Sequence, residues 1–419
     1  MSKTLLDRFM KRSVSRGQLG VVFADGSSQV YGKESEGFPD VILRFADSKV
    51  PRDIIMDPRL GAAEAFMDGR LILEEGDIMD LVTLLRANNG WDQGGDIDPP
   101  SILNRIGNAA GYAFEKANNA ISSKNNVAHH YDIGNDFYAL MLDEEHWQYS
   151  CGYWPKGVET LGQSQTAKLA HIAAKLGIKK GQKVLDIGCG WGGMSIFLAK
   201  HYDVQVTGIT LSEEQVDLAR QRVRDAGVAD RVSIEIVDYS AFASAGRKFD
   251  RIVSVGMFEH VGQPQFDTFF KSCANLLTDD GVMLLHTIGR LGSPGSTDAF
   301  TRKYIFPGGY IPALSETVES SEKFRLIATD VETLRLHYGK TLRCWYANCM
   351  ANKDKMIAMY DERFFRMWTF YLAGAATVFE YGSMCNYQIQ YARSRHALPI
   401  ERGYIEREEK RLLKAASAG

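Results

Sequence analysis

Gly188, Gly190, Gly192 and Gly193 fall within six residues, between an apolar run and a helical one, and this cluster constrains the fold more than any other stretch. Val184, Leu185 and Ile187 read as a buried strand, and Ser195 to His201 resumes at helical spacing. Strand, glycine turn and helix form a nucleotide-type cofactor site. Glycine lets the backbone turn sharply and approach a ligand, and the helix amino terminus offers unpaired N–H groups to a polar or anionic part of it. Glycine turns also join strands to helices for purely structural reasons, so the motif alone names no ligand. The next strand, His201 to Ile209, follows about twenty residues on and ends without the Asp or Glu that grips a dinucleotide ribose. This counts against NAD and favours S-adenosylmethionine.

A length of 419 residues exceeds the usual size of one domain and predicts two or more units. The net charge of −3 excludes the strongly basic balance of a dedicated nucleic-acid binder, so no nucleic-acid partner is expected. Cys151, Cys189, Cys273, Cys344, Cys349 and Cys385 show no CxxC pairing and read as reduced thiols of a cytoplasmic protein. No stretch has a signal-peptide core or the roughly 18 apolar residues of a membrane span. Any membrane contact is therefore expected to be peripheral, at the inner membrane.

Leu5, Leu6, Phe9 and Met10 lie among Lys3, Arg8, Lys11, Arg12 and Arg16, a pattern compatible with a basic amphipathic helix resting on anionic lipid. The competing reading is a helix packed on its own domain with solvated charges. From Gly20 to about Asn89 a compact unit is expected: a hairpin through Gly26 to Ser28, the run Val41 to Phe45, the run Leu60 to Gly69 and a helix from about Asp77 to Asn88. Asn88 to Pro100 reads as a linker dense in turn formers, and Ser101 to about Ser122 as helical. The domain division that follows is 1–90, 91–124, a catalytic domain at 125–395 and a polar tail at 396–419.

Thr160 to Leu176 reads as a helix feeding the glycine-loop strand. Extended stretches at 183–187, 204–209, 232–237, 249–255 and 282–287 alternate with helices, among them about 213–226 and 264–277. Such alternation predicts a doubly wound parallel sheet. The apolar, aromatic loop from Lys303 to Pro312 is long enough to act as a lid, and two aromatic-rich helical stretches follow at about 340–360 and 362–392. Phe364, Phe365, Met367, Trp368, Phe370, Tyr371 and Leu372 nearly encircle the second, as lining for an acyl chain or as ordinary core.

Thr210 and Gln215 can hydrogen-bond a neutral ribose without a carboxylate. Ser212 and Gln215 equally have the spacing of a capping box. Glu259 and His260 end one predicted strand and His286 another, at the sheet edge where open α/β folds bind ligands. Convergence of these groups on the edge that carries the glycine loop points to catalysis.

The run Gln148 to Trp154, the glycine loop Leu185 to Gly193, the stretch Phe249 to Gly262, Leu284 to Gly289 and Lys303 to Pro307 together closely resemble the bacterial cyclopropane-fatty-acid synthases, cousins of the mycolic acid cyclopropane synthases. The resemblance spans about residues 125–395. It implies an α/β fold: a Rossmann-like class I methyltransferase sheet with helical lid insertions, plus a small α+β N-terminal domain for lipid docking or dimerisation. It implies transfer of a methylene from S-adenosylmethionine to a cis double bond of an unsaturated phospholipid in the membrane, through a carbocation deprotonated by bound bicarbonate. Cys151, Glu259, His286, the backbone of Ile288 and Tyr338 match the bicarbonate site. Tyr149, Ser150, Gly188, Gly190, Thr210 and Gln215 match the cofactor site, with Asp238 and Tyr239 beside the adenine; Asp238 is equally placed to cap the next helix. A homodimer is compatible. The rival readings are a related lipid methyltransferase leaving a methyl or methylene branch, a lipid- or cofactor-binding protein without catalysis, and a methyltransferase of soluble small molecules.

Overall fold

Residues 2–95 and 133–417 are described by the structure, a computed structural model, and they divide into two units whose segments alternate along the chain. The helix expected from Ser101 to about Ser122, the end of the linker and the start of the 125–137 run lie outside the described residues.

The first unit begins with a helix, Ser2–Ser13, whose Leu6 and Met10 are buried while Leu5 points outward. Leu6 and Met10 thus pack within the helix's own unit. β1 (Gly17–Val22) and β2 (Ser28–Lys33) form the expected antiparallel hairpin. β3 (Val41–Phe45) runs parallel to β1, and β4 (Leu71–Glu75) pairs antiparallel with β3. β3 alternates, sending Val41, Leu43 and Phe45 into the core. Helix Pro58–Met67 starts where Asp57 accepts the amides of Arg59 and Leu60, with proline in its first turn. Helix Ile78–Ala87 starts from a reciprocal Asp77–Asp80 cap.

Thr297–Pro307 and Gly339–Met384, which the sequence placed within the 125–395 domain, cluster with this first unit. Their side chains explain it. Lys303 and Tyr304 both bond Glu64 Oε1, at 2.7 and 2.8 Å, and Arg363 pairs with Asp68 at 2.8 Å. Phe370 packs on Phe66 and Phe300, and Arg343 holds Glu380 through two bonds of 2.6 and 2.8 Å. Phe365, Met367, Trp368 and Leu372 are buried in the same helix, Glu362–Glu380, while Phe364, Phe370 and Tyr371 are only partly buried. That helix stops at Glu380, not 392. Met384–Ala392 is a strand, β11, buried on both faces, in which Asn386, Gln388 and Gln390 alternate with Tyr387, Ile389 and Tyr391.

The second unit holds residues 133–296, 308–338 and 385–417. Its sheet has the order β10-β11-β9-β8-β5-β6-β7, with β5 (Lys183–Ile187), β6 (Gln205–Thr210), β7 (Val232–Ile236), β8 (Phe249–Val255), β9 (Leu277–Arg290) and β10 (Ile327–Leu334). The pairs from β7 through β9 are parallel, while β10 and β11 pair antiparallel. The sheet is therefore mixed rather than wholly parallel. Successive strands run outward from β5 on one side through β6 and on the other through β8, and this reversal opens a crevice at the carboxyl ends.

Helix Leu161–Leu176 starts on a Thr160–Gln163 capping box and ends at Gly177 in the left-handed region. The polar tail is also corrected: Tyr404–Ala416 is a helix of this unit, with Ile405 and Leu412 buried and Glu408 accepting from Tyr202 Oη at 2.6 Å. Among the described residues no helix is long and apolar enough to cross a membrane.

Candidate active site

A cavity of about 500 Å³ occupies the crevice, a size suited to a cofactor. Its floor is the turn after β5. Gly188 and Cys189 both donate their amides to Ile209 O, at 2.9 and 3.0 Å, which ties the loop to β6. Gly188 has φ +79°, and a Cβ there would stand 2.7 Å from Met257 Cβ, so both the turn and the packing demand glycine. Gly190 also has positive φ, but a Cβ built on it meets nothing within 4 Å, because it faces the open cavity.

All eight residues expected at the cofactor, Tyr149, Ser150, Gly188, Gly190, Thr210, Gln215, Asp238 and Tyr239, line this one cavity. Ser212 caps helix Glu213–Asp225 through the Gln215 amide N–H at 3.3 Å, but the Gln215 side chain does not return to complete a box. It meets Thr210 Oγ1 at 3.1 Å instead, so the pair stays on the cavity wall. Asp238 does cap the following helical turn, accepting from Ser240 N at 2.9 Å, and lines the cavity as well.

Sequence reasoning missed several wall residues. Asp186 sits inside the glycine motif; burial pushes its carboxyl up to about 6, against the lowering effect of Ser195 Oγ at 2.7 Å. Trp147 and Trp191 close one side, their rings 5.9 Å apart, and Trp191 also packs on Tyr138 at 5.0 Å. Trp147 holds a positive φ of 52°, uncommon for a bulky residue.

Glu259 lies in the turn Phe258–His260, between cavity-lining Met257 and His260. It is buried, and its Oε1 accepts the amide of Ile288 at 2.5 Å, so that amide is engaged by Glu259. Burial pushes the carboxyl up to about 7 despite this bond. Its Oε2 has no hydrogen-bond partner among the described residues. His286, on β9, is also buried; burial and nearby cations hold its imidazole neutral, well below the ordinary range. Its Nδ1 meets Gln388 Nε2 at 3.1 Å, and its Nε2 likewise lacks a described partner.

Cys151 is wholly buried, with Sγ 3.2 Å from Gly152 O. Burial drives its thiol far up, which excludes a resting thiolate. Tyr338 is buried in the first turn of helix His337–Ala351. Its neighbour His337 accepts the amide of Trp154 at 2.8 Å and stacks on Tyr153 at 5.1 Å, which ties the start of this helix to the Cys151 segment. Glu259 Oε2 and His286 Nε2 are thus two buried polar atoms without a described partner, each chemically able to bond a small polar ion, and neither residue lines the cofactor cavity.

Fold and cavity define an S-adenosylmethionine-dependent methyltransferase of the class I type; a coclaurine N-methyltransferase bound to S-adenosylhomocysteine shares the fold at a TM-score of 0.62 and 19% identity, over 79% of this chain and 99% of that one. The family model described as mycolic acid cyclopropane synthetase matches residues 118–389, and the chain belongs to that family. A second model, described only as a domain of unknown function, matches residues 5–90. A probable fatty acid methyltransferase of Pseudomonas putida is 37% identical over 349 residues, 81% of this chain and 84% of that one. The cyclopropane-fatty-acyl-phospholipid synthase of Escherichia coli is 41% identical over 264 residues, 63% of this chain and 66% of that one. A mycolic acid cyclopropane synthase solved with S-adenosylhomocysteine and CTAB superposes with a TM-score of 0.60 at 35% identity, over 64% of this chain and 98% of that one.

Proposed function

We propose that this chain is a cyclopropane-fatty-acyl-phospholipid synthase, adding the methyl carbon of S-adenosylmethionine across a cis double bond of a phospholipid acyl chain. The observation that carries this reading is Glu259: a buried carboxylate, anchored through one oxygen to Ile288 and uncommitted at the other, in the turn that walls the cofactor cavity. The 41% identity to the Escherichia coli synthase supports it.

An isolated alkene is a weak nucleophile, so the protein must hold it in line with the sulfonium methyl and keep water out. Methyl transfer breaks the sulfur–methyl bond, releases S-adenosylhomocysteine and leaves a cation on the lipid; loss of one proton from the added methyl then closes the ring. Bicarbonate held by Cys151, Glu259, His286 and Tyr338 would supply the base for that proton. His286 offers Nε2–H as a donor, and Glu259 Oε2 accepts. The lipid reaches the enzyme from a bilayer by peripheral contact in this reading.

A second reading, a methyl-branched product, is kept because the Pseudomonas putida relative, which covers more of the chain, is named a probable fatty acid methyltransferase with no mention of a ring. One experiment separates them: incubation with S-adenosylmethionine, bicarbonate and vesicles of monounsaturated phospholipid, followed by acyl-chain mass spectrometry and proton NMR. A gain of one CH₂ with upfield ring protons is the expected result. A mass two hydrogens higher, or olefinic methylene signals, would move the assignment to a branched product, and an unmodified lipid would overturn both.

A further inference from the structure

Lys168 is a buried titratable group that the reaction above leaves without a role. It sits in helix Leu161–Leu176 with no exposed surface, and its Nζ donates to Gln148 Oε1 at 2.5 Å and Ser150 Oγ at 2.8 Å. Both acceptors are neutral, and no carboxylate forms an ion pair with it among the described residues. Lys175, two turns on in the same helix and just as buried, is paired with Glu332 and with Asp330. The negative charges that act on Lys168 at longer range, Asp143 and Asp186, are engaged elsewhere: Asp143 accepts the amides of His146 and Gln148, and Asp186 the Ser195 hydroxyl. A buried ammonium held only by neutral oxygens is costly unless something compensates it.

The two acceptors show where that compensation lies, since Gln148 and Ser150 both line the cofactor cavity. Gln148 is locked, its oxygen on Lys168 and its nitrogen on His146 O at 3.1 Å. Ser150 Oγ receives a proton from Lys168, so its own hydroxyl hydrogen must point away, and it donates to no described residue. An ammonium behind that oxygen polarises the hydroxyl into a stronger donor. Position selects the ligand group. Ser150 lies against Gly256 at the end of β8, where a Cβ on the glycine would be 3.7 Å from Ser150 Cβ, while Thr210 ends β6. β5 separates those two strands, so a cofactor whose neutral ribose lies at Thr210 and Gln215 brings its amino-acid end toward Ser150.

We infer that Lys168 is the positioning charge for the amino-acid end of the cofactor, turning the Ser150 hydroxyl into a donor for its carboxylate without touching the ligand itself. This rests on the cavity taking S-adenosylmethionine. Burial holds the Lys168 ammonium down to about 7, so a carboxylate arriving at Ser150 draws a proton onto the lysine.

The test is calorimetric titration of the full chain, wild type, Lys168→Met and Ser150→Ala, with S-adenosylhomocysteine and with 5′-methylthioadenosine, which keeps the adenosine and thioether but lacks the amino acid. Lys168→Met is expected to weaken S-adenosylhomocysteine by about tenfold or more while methylthioadenosine changes less than about twofold. Ser150→Ala should show the same selectivity, and it decides the matter if Lys168→Met does not fold. Near pH 7.5 the wild-type enthalpy should vary with buffer ionisation enthalpy for S-adenosylhomocysteine only. Equal losses for both ligands, no loss for either, or a changed bicarbonate dependence with unchanged S-adenosylhomocysteine affinity would overturn the inference. Failure of wild type to bind S-adenosylhomocysteine would instead remove the cofactor reading beneath it.

Discussion

Gln388 Nε2 reaches His286 Nδ1 at 3.1 Å, joining the side chains of the adjacent strands β11 and β9. An amide that donates to Nδ1 leaves the imidazole proton on Nε2, and burial keeps the ring neutral. The bond therefore decides which His286 nitrogen is the donor. Gln388→Glu should reverse the choice, because a carboxylate accepts from Nδ1–H and favours the charged ring. A fall in kcat of about 10- to 100-fold is expected with S-adenosylhomocysteine affinity unchanged. The ¹⁵N spectrum of His286 should report the exchanged tautomer. An unaltered spectrum alongside full activity would leave Gln388 with a packing role.

Why Gln388 escaped sequence reasoning is a physical matter. The alternation of Tyr387, Ile389 and Tyr391 with Gln388 and Gln390 is a strand signal, but the aromatic run before it carried the helical reading through. Lys168 was hidden in the opposite way. With His171 and Lys175 it recurs at i, i+3 and i+7, which reads as the solvated face of an amphipathic helix, yet all three are buried. By contrast the glycine loop was legible, because positive φ and close packing leave glycine no substitute at Gly188. Glu259 and His286 were legible as polar groups at the ends of predicted strands, although Glu259 stands in the turn after β8 and β9 continues past His286 to Arg290. The grouping of Gly339–Met384 with the N-terminal residues was not, since contacts such as Arg363 with Asp68 span 295 positions of sequence.

Glu259→Gln preserves an oxygen to accept from Ile288 and removes the charge. Turnover should fall by at least about 100-fold, with cofactor affinity nearly intact. In wild type the rate should rise as pH passes about 7, where the carboxyl ionises. Stability runs the other way. The folded carboxyl binds its proton more tightly than the unfolded one, so its contribution is present at pH 4 and is lost as pH rises toward 7. The Gln variant should therefore match wild type near pH 4 and exceed it at pH 8 by on the order of 3 kcal/mol. Chemical denaturation at the two pH values checks this, and equal stabilities at pH 8 would contradict the burial argument.

Gly188→Ala and Gly190→Ala separate packing from ligand approach. The first places a methyl 2.7 Å from Met257 Cβ at φ +79° and should lower stability by about 1–3 kcal/mol, with cofactor affinity falling as the loop shifts. The second meets no protein atom at φ +53°, so its stability loss should be the smaller, about 1 kcal/mol. Its methyl faces the cavity, so the loss of S-adenosylhomocysteine affinity should be large relative to the change in Tm. Thermal melts with and without ligand distinguish the two patterns.

His171 is held between two carboxylates, Nε2 to Glu332 Oε2 at 2.7 Å and Nδ1 to Glu409 Oε2 at 3.0 Å. Burial alone would lower its pKa, but these bonds outweigh it and the net direction is upward. Lys175, Asp330 and Arg402 complete the surrounding charges. A histidine whose folded pKa is raised contributes stability that is full below its unfolded value near 6.5 and fades as pH rises through the folded one. Glu409→Gln should therefore cost about 1–3 kcal/mol at pH 6 and less at pH 9. Function should follow, since the Tyr153 ring stacks on His171 at 4.1 Å and on His337 at 5.1 Å, linking the C-terminal helix to the residues flanking Cys151 and Tyr338. A lower kcat with unchanged S-adenosylhomocysteine affinity is expected at both pH values. Denaturant titrations giving the same loss at pH 6 and pH 9 would mean that packing of Glu409, rather than the charge on His171, holds the helix in place.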